Sequence, residues 1–384
     1  MRECARLALR LGPLLTVLAS AQAMADPVPV PAMSGPLSAN ANPTKFDAGP
    51  LGKIYVTGAA TGIAQWQDHI SPGDDKTLAD VTNGQIFVQK TDGVFQFFIQ
   101  AGIYSLPDLG LPYVRATDTT KNLYGALPQA FVKIAPNADF SVLVGELPTL
   151  IGAEYTFSFE NMNVERGLLW NQETAVSRGV QLNYAHGPLS VSASLNDGFF
   201  SGHYNWISAS IGYTIDKANS VTLVGGGNVS HTAHSSAATP LLQNNGEIYN
   251  LIFTHTAGPW IVQPYVQYTR VHREPALGID RGASTYGAAL LLSYAVTKEL
   301  HLAGRAEYIT SSGSRGGTSP SLLYGPGSSA WSVTFTPTYQ KGIFFVRGEA
   351  SHVGASEITP GFGFGKSFNR KSQDRLLAEA GFLF

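Results

Sequence analysis

The stretch WIVQPYVQYTR, from Trp260 to Arg270, contains the pattern that decides the fold. Read with a period of two, one side of this stretch carries the apolar residues Trp260, Val262, Val266 and Tyr268, whereas the other side carries mainly Gln, Tyr and Thr. Successive side chains of a β-strand point to opposite faces of the sheet. The alternation therefore predicts a strand with one apolar and one polar face.

Stretches of the same kind recur throughout the chain, and most are rich in the Thr, Tyr, Val and Ile that favour strands. WSVTFTPTYQ (Trp331–Gln340) and LSVSASLND (Leu189–Asp197) alternate in the same way. Sixteen candidate strands are predicted: Leu51–Gln67, Gly84–Lys90, Val94–Ala101, Pro128–Ile134, Phe140–Leu147, Arg178–Ala185, Leu189–Asn196, Trp206–Ile215, Val221–Val229, Glu247–Thr256, Trp260–Val271, Ser284–Val296, Leu300–Thr310, Ala330–Tyr339, Ile343–Val353 and Leu376–Phe384.

The lengths of the predicted connections distinguish a soluble β-sandwich from a membrane barrel. The short connections, such as 91–93 and 257–259, each follow an even-numbered strand, whereas the connections after odd-numbered strands are long, as in 102–127 and 148–177. Outer-membrane barrels combine short periplasmic turns with long extracellular loops, and a sheet crosses lipid only when it is closed. We therefore predict an all-β fold, a transmembrane antiparallel β-barrel of about 16 strands in an up-and-down meander.

The composition excludes other classes of protein. Charged residues make up 14% of the 384 residues, against about 25% in a typical soluble domain. Lys and Arg number 25 and Asp and Glu number 27, so no basic surface for nucleic acid is expected. Beyond the N-terminal segment, no apolar run approaches the roughly 20 residues of a spanning helix. The sequence also gives no reason to expect a cofactor.

The N-terminal segment has the features of a secretory signal peptide. Arginines precede the apolar stretch LGPLLTVLAS (Leu11–Ser20), and small residues up to Ala25 offer a cleavage site. The one cysteine, Cys4, precedes the apolar stretch and would be removed with it. We predict a signal peptide at 1–25, a Pro-rich periplasmic leader at 26–50 and a transmembrane barrel at 51–384.

The C-terminal stretch RLLAEAGFLF, from Arg375 to Phe384, is itself a candidate strand. Its alternate apolar residues are expected to face lipid, and Glu379 is expected to face the lumen. We expect this strand to pair with the first strand of the barrel. Alternate apolar residues that end on Phe384 resemble the signature by which outer-membrane proteins engage their insertion machinery.

Five segments in the middle of the chain follow one another in a characteristic order. They are Gln129–Ile134 (QAFVKI), Val142–Leu147 (VLVGEL), Gly152–Glu154 (GAE), Asn161–Arg166 (NMNVER) and Ser177–Tyr184 (SRGVQLNY). This order resembles the OmpL-like putative beta-barrel porin-2 family of Gram-negative bacteria, most clearly over residues 128–215. The resemblance implies a porin-like channel and little about the solutes that it carries.

Charged residues fall on the face of the predicted strands that would point inward. They are Arg305, Glu307, Arg347, Glu349 and Glu379. A barrel of about sixteen strands encloses a bore wide enough for water and small solutes, and charge is costly on the lipid face. Two interpretations remain open: the charges form a structural ladder on the inner wall, or they set ion preference through the local field.

The predicted loop 148–177 combines charged and aromatic residues. Its charged candidates for a constriction are Glu154, Glu160, Glu165 and Arg166. General porins fold the loop between strands five and six into the lumen, so the same position here suggests an inward constriction. The alternative is that this loop packs over the mouth or against a neighbouring subunit.

These features predict an outer-membrane porin, a passive channel for ions and small hydrophilic solutes with no enzymatic activity. The expected surroundings are outer-membrane lipid and lipopolysaccharide. The oligomeric state is left open by the sequence, and a homotrimer is one alternative. A substrate-specific transporter and an adhesin-like barrel are alternatives. A barrel enzyme would need a partner for His352 or His272, which the sequence does not supply. The two histidines in Ser230–Ala238 lack a third ligand, so no metal site is predicted.

Overall fold

The computed structural model describes residues 31–384, so the predicted signal peptide lies outside the described residues. Sixteen strands form the wall: β2 (Lys53–Gln67), β3 (Thr77–Lys90), β4 (Phe95–Tyr104), β5 (Gln129–Ile134), β6 (Phe140–Pro148), β7 (Val176–His186), β8 (Leu189–Asn196), β9 (Trp206–Thr214), β10 (Asn219–Asn228), β11 (Gly246–Ala257), β12 (Trp260–Val271), β13 (Ala283–Ala295), β14 (Leu300–Ser311), β15 (Ser329–Lys341), β16 (Phe344–Ser356) and β17 (Ser372–Leu383). A short strand, β1 (Thr44–Asp47), precedes them, and two short helices, α1 (Ala116–Asn122) and α2 (Leu241–Asn244), lie in loops. No helix among residues 31–384 is both long and apolar enough to cross a membrane.

The wall is a closed cylinder. Every wall strand pairs in antiparallel fashion with its chain neighbours, and β17 pairs with β2, with Glu379 opposite Ile63. The last residue continues this seam, because Gly58 N–H donates to the Phe384 carbonyl (2.8 Å) and Phe384 N–H donates to the Gly58 carbonyl (3.0 Å). The prediction of a closed antiparallel barrel of sixteen strands is thereby confirmed.

Two strands begin earlier than the apolar pattern predicts. β3 begins at Thr77 rather than Gly84, and β17 begins at Ser372 rather than Leu376. Both added segments contain polar residues, and they still complete ladder hydrogen bonds with their neighbours. Backbone pairing does not require an apolar side chain, so the alternation alone placed these ends too far along the chain.

The connections at the two ends of the barrel differ in length. One end, here called the turn end, carries the connections 91–94, 135–139, 187–188, 215–218, 258–259, 296–299 and 342–343. The opposite end, called the loop end, carries the connections 68–76, 105–128, 149–175, 197–205, 229–245, 272–282, 312–328 and 357–371.

The outer surface is apolar with an aromatic band near each end. Rings of Tyr249, Tyr268 and Tyr286 follow one another near the loop end, with centroids 6.5 and 4.9 Å apart. The rings of Trp260 and Tyr294 lie near the turn end with centroids 4.5 Å apart and planes tilted by 50°. Such girdles mark the two membrane interfaces of an outer-membrane barrel.

The described part of the predicted leader, residues 31–50, contacts both the wall and the interior of the barrel. Strand β1 pairs with Lys53–Val56 at the turn end. Residues before it run into the barrel, and Leu37 is only 2% exposed within a buried apolar cluster. Prolines interrupt this segment and disfavour a regular strand, but its apolar side chains still lose exposed area by packing inside the barrel.

Candidate functional site in the barrel lumen

The connection between β6 and β7, residues 149–175, lies inside the barrel and is called the inserted loop. Almost all of its residues are buried. Its aromatic residues pack on the wall formed by β3 and β4: the Phe159 ring lies 5.8 Å from Phe87, and the Phe157 ring lies 5.3 Å from Tyr104. These contacts attach one side of the inserted loop by removing apolar rings from water.

The opposite side of the inserted loop is attached to β14 by charges. Arg305 Nη1 donates to Glu154 Oε1 (2.6 Å) and to the Glu165 carbonyl (2.7 Å). The Glu307 carboxylate accepts the N–H of Leu168 at 3.0 Å. A charged wall residue therefore supplies a partner for backbone groups that have no strand to pair with.

A second attachment joins the inserted loop to β16 and β17. Arg347 forms a salt bridge with Glu379, and both side chains are fully buried. The same guanidinium donates to the carbonyls of Ser158 (3.0 Å) and Asn161 (3.1 Å). Ser158 Oγ donates to the free oxygen of Glu379 at 2.7 Å. Each member of this group thus has several partners.

Glu349 and Glu165 extend the network toward the loop end. Glu349 accepts the Glu165 N–H at 2.9 Å and the Thr336 hydroxyl at 2.7 Å. The Glu165 carboxylate in turn accepts from Arg375 Nη1 at 2.6 Å and from Ser351 Oγ at 2.9 Å. Two neighbouring carboxylates are therefore held apart by hydroxyl, amide and guanidinium donors.

Arg166 braces the inserted loop from within. Its Nε donates to Asp108 at 2.9 Å and its Nη1 donates to the Thr156 carbonyl at 2.6 Å. The guanidinium also lies 4.8 Å from the ring of Trp170, a favourable cation–π arrangement. These contacts connect the two arms of the inserted loop with the preceding long loop.

Eight of the nine charged residues singled out from the sequence meet in this network, and Glu160 lies beside it. All nine are at most 5% exposed. Their charged groups therefore form ion pairs and hydrogen bonds at the interface between the inserted loop and the wall.

Sequence reasoning missed two members of the network, Arg375 and Asp108. Arg375 shares the inward parity of Glu379 four positions later, and a strand start at Ser372 instead of Leu376 would have identified it. Asp108 lies in the irregular connection 105–128, where no periodicity predicts its direction.

Two carboxyl groups of the inserted loop, those of Glu160 and Glu173, have a raised pKa. Burial raises the pKa of Glu160 to about 8, although its carboxylate accepts the Phe157 N–H at 2.8 Å. Burial also raises the pKa of Glu173 well above its ordinary value, and the nearby Glu154 and Glu307 act in the same direction. Near neutral pH the protonated form of Glu160 is favoured.

Glu160 predicts a pH dependence of the inserted loop. Because its pKa is raised on folding, the neutral side chain stabilises the packed loop at low pH, and this contribution is lost as pH rises through about 8. We expect amide exchange of residues 157–163, corrected for the intrinsic rate, to be better protected at about pH 6 than at about pH 9. Glu160→Gln should remove that difference, and an undiminished difference in this variant would contradict the assignment.

A cavity of about 460 Å³ lies beside the inserted loop at the turn end. Its lining includes Tyr155 and Glu160 from the loop and Lys133, Asp139 and Asn183 from β5 to β7 and their turn. Charges of both signs and amide groups therefore face this space. Polar side chains therefore meet an accessible volume beside the inserted loop.

The residues considered for enzymatic chemistry do not form a nucleophile–base pair. Ser351 points inward to Glu165, whereas His352 points outward, with its Nδ1 2.6 Å from Asp374 and its ring 5.0 Å from Trp331. Adjacent residues of one strand face opposite sides of the wall. Across residues 31–384, no group of three or more His, Cys, Asp or Glu residues is arranged to hold a metal ion.

The closed sixteen-stranded wall, the loop held inside it and the two aromatic bands define a porin-type barrel of the bacterial outer membrane. The chain belongs to the family described as "Putative beta-barrel porin-2, OmpL-like", whose profile matches residues 53–384. The resemblance identified from the sequence is confirmed. No curated protein matches the chain.

Solved structures support the same fold. The outer membrane channel DcaP of Acinetobacter baumannii is similar with a TM-score of 0.57 and 12% identity, over 86% of this chain and 97% of that chain. OmpT, an outer membrane protein of Vibrio cholerae, gives 0.56 and 11%, over 89% and 100%. Salmonella typhi OmpF, solved with daunomycin, gives 0.55 and 14%, also over 89% and 100%.

Proposed function

We propose that the protein is a passive porin for ions and small hydrophilic solutes, in which the inserted loop forms the constriction. The observation that carries this proposal is the double attachment of the loop. Aromatic packing holds it to β3 and β4, and buried charges hold it to β14, β16 and β17. A loop fixed on both sides narrows the bore to a defined width.

The solute path runs past the cavity beside β5 to β7. There Lys133 and Asp139 face the space together with Asn183, so neither sign of charge dominates. The arginines and carboxylates of the network form salt bridges with one another, so they exert little net field on a solute. The channel therefore selects mainly by the size of the solute. Ion preference is accordingly weak.

In the membrane, the turn end faces the periplasm and the loop end faces outward, toward lipopolysaccharide. The C-terminal strand with Phe384 engages the insertion machinery before it closes the seam with β2. A homotrimer is the proposed assembly, by analogy with the trimer form of the Vibrio cholerae OmpT structure. The signal peptide at 1–25 directs export.

Swelling of protein-loaded liposomes tests passive diffusion. We expect swelling with small sugars and amino acids at rates that fall steadily with solute size and rise linearly with concentration. Vesicles without protein and vesicles with heat-unfolded protein serve as controls. Swelling that saturates with one solute would instead support a substrate-specific transporter, and its absence for every solute would contradict the porin proposal.

A further inference from the structure

Residues 31–43, here called the N-terminal strap, enter the barrel from the turn end. Strand β1 holds the following residues beside the start of β2 at this end. From there the strap runs inward, and Leu37 joins the buried apolar cluster that includes Phe157 and Phe159 of the inserted loop. Pro31 and Ala32, at the inner end of the strap, line the 460 Å³ cavity.

The strap contacts the inserted loop directly. The backbone N–H of Ser34 (2.8 Å) and its hydroxyl (3.0 Å) both donate to the carbonyl of Glu160. At the next position, a Cβ on Gly35 would lie only 2.8 Å from Cγ of Met162. Glycine therefore permits this close approach, and a larger side chain would push the strap away.

A second contact fixes the strap where it leaves the barrel. Ser38 N–H donates to the side-chain oxygen of Gln340, and the Gln340 amide donates back to the Ser38 carbonyl, both at 2.8 Å. Gln340 lies at the end of β15, next to the turn 342–343. The strap is therefore attached at two places. Ser34 holds it to the inserted loop, and Ser38 holds it to the turn end of the barrel.

No residue of the strap belongs to a strand of the wall. Its anchors are the buried Pro36 and Leu37, the partly buried Met33 and a few hydrogen bonds. None of them belongs to the ladder, so the strap can leave while the closed wall remains. We propose that the N-terminal strap is a size-determining element that occupies part of the bore below the inserted loop. This inference rests on the porin function proposed above. A docked strap narrows the passage, and a released strap widens it.

The first test places a charge on the anchor. Leu37→Asp puts a carboxylate into an apolar cluster and should release the strap, whereas Ala41→Asp puts the same charge on an exposed position of the same segment. We expect the single-channel conductance of L37D to rise by about 1.5-fold or more, because conductance follows the width of the bore. A41D should match the wild type. Deletion of residues 31–43 should reproduce L37D and covers the case in which L37D fails to assemble.

The second test measures docking independently of transport. In a Cys4→Ser background, Leu37→Cys places a thiol at the buried anchor of the strap, and Ala41→Cys places one at an exposed position of the same segment. We expect a maleimide reagent to label the thiol of A41C at least about tenfold faster than the thiol of L37C in the folded protein, because docking shields position 37. Mass spectrometry measures the labelled fraction.

The outcomes separate the two proposals. Protection of the L37C thiol together with unchanged conductance in both L37D and the deletion would overturn the role of the strap and leave the porin function standing. Equal labelling rates for L37C and A41C would overturn docking. If the wild type is silent but the deletion conducts, the strap closes the bore instead of setting its width, and the size-determining role is overturned. Silence of both would overturn the porin function and, with it, the role of the strap.

Discussion

Deletion of residues 157–168 raises single-channel conductance at least about twofold, because it removes the part of the inserted loop that crosses the bore. The deleted segment contributes no hydrogen bond to the ladders of the wall, so the sixteen strands still close. The buried residues Arg305, Arg347 and Glu349 would then face water and acquire solvation. Planar-bilayer recordings of the purified variant measure the effect.

The control for this deletion removes exposed residues from another loop. Residues 233–237 lie in the connection 229–245 and are exposed at the loop end, so their removal should leave conductance unchanged. If the two deletions give the same conductance as the wild type, the inserted loop does not limit the current. The constriction proposal would then be wrong, although the fold would stand.

Arg347→Met destabilises the barrel by about 3–5 kcal/mol, because it leaves the Glu379 carboxylate buried without its ion-pair partner. The substitution also removes two donors to the carbonyls of the inserted loop. The double variant R347M/E379L should recover a large part of this loss, since an apolar pair of similar volume needs no charge compensation. Urea unfolding of the protein in detergent micelles, followed by heat-modifiable migration, gives the free energies.

A matched arginine variant distinguishes the buried pair from a general effect of charge. Arg281 is exposed in the connection 272–282, and Arg281→Met should change the unfolding free energy by less than about 0.5 kcal/mol. If the double variant loses as much stability as the sum of the single variants, Arg347 and Glu379 are not coupled, and the network account is contradicted.

The wall could be predicted from the sequence because each strand meets two different environments. Lipid selects apolar residues such as Leu376 and Phe382 on one face, and the interior accepts Arg347 and Glu379 on the other. This contrast produces the alternation of apolar and polar residues along each strand. The same contrast is absent at strand ends, which is why the start of β17 and the inward Arg375 were missed.

The interior could be predicted only in part. The charged residues of the inserted loop were identified by type, but their pairing depends on an irregular backbone that no periodicity describes. Glu349, for example, accepts the N–H of Glu165, a contact between residues far apart in the chain. The strap gave an even weaker signal, because only Met33 and Leu37 interrupt its small and polar residues.

The proposed porin function requires a continuous water-filled passage inside the closed wall. Planar-bilayer recording of the purified wild-type protein tests it most directly. We predict discrete, ohmic current steps with a small reversal potential in a salt gradient. A correctly folded wild-type protein that inserts into the bilayer and passes no current would contradict the porin function.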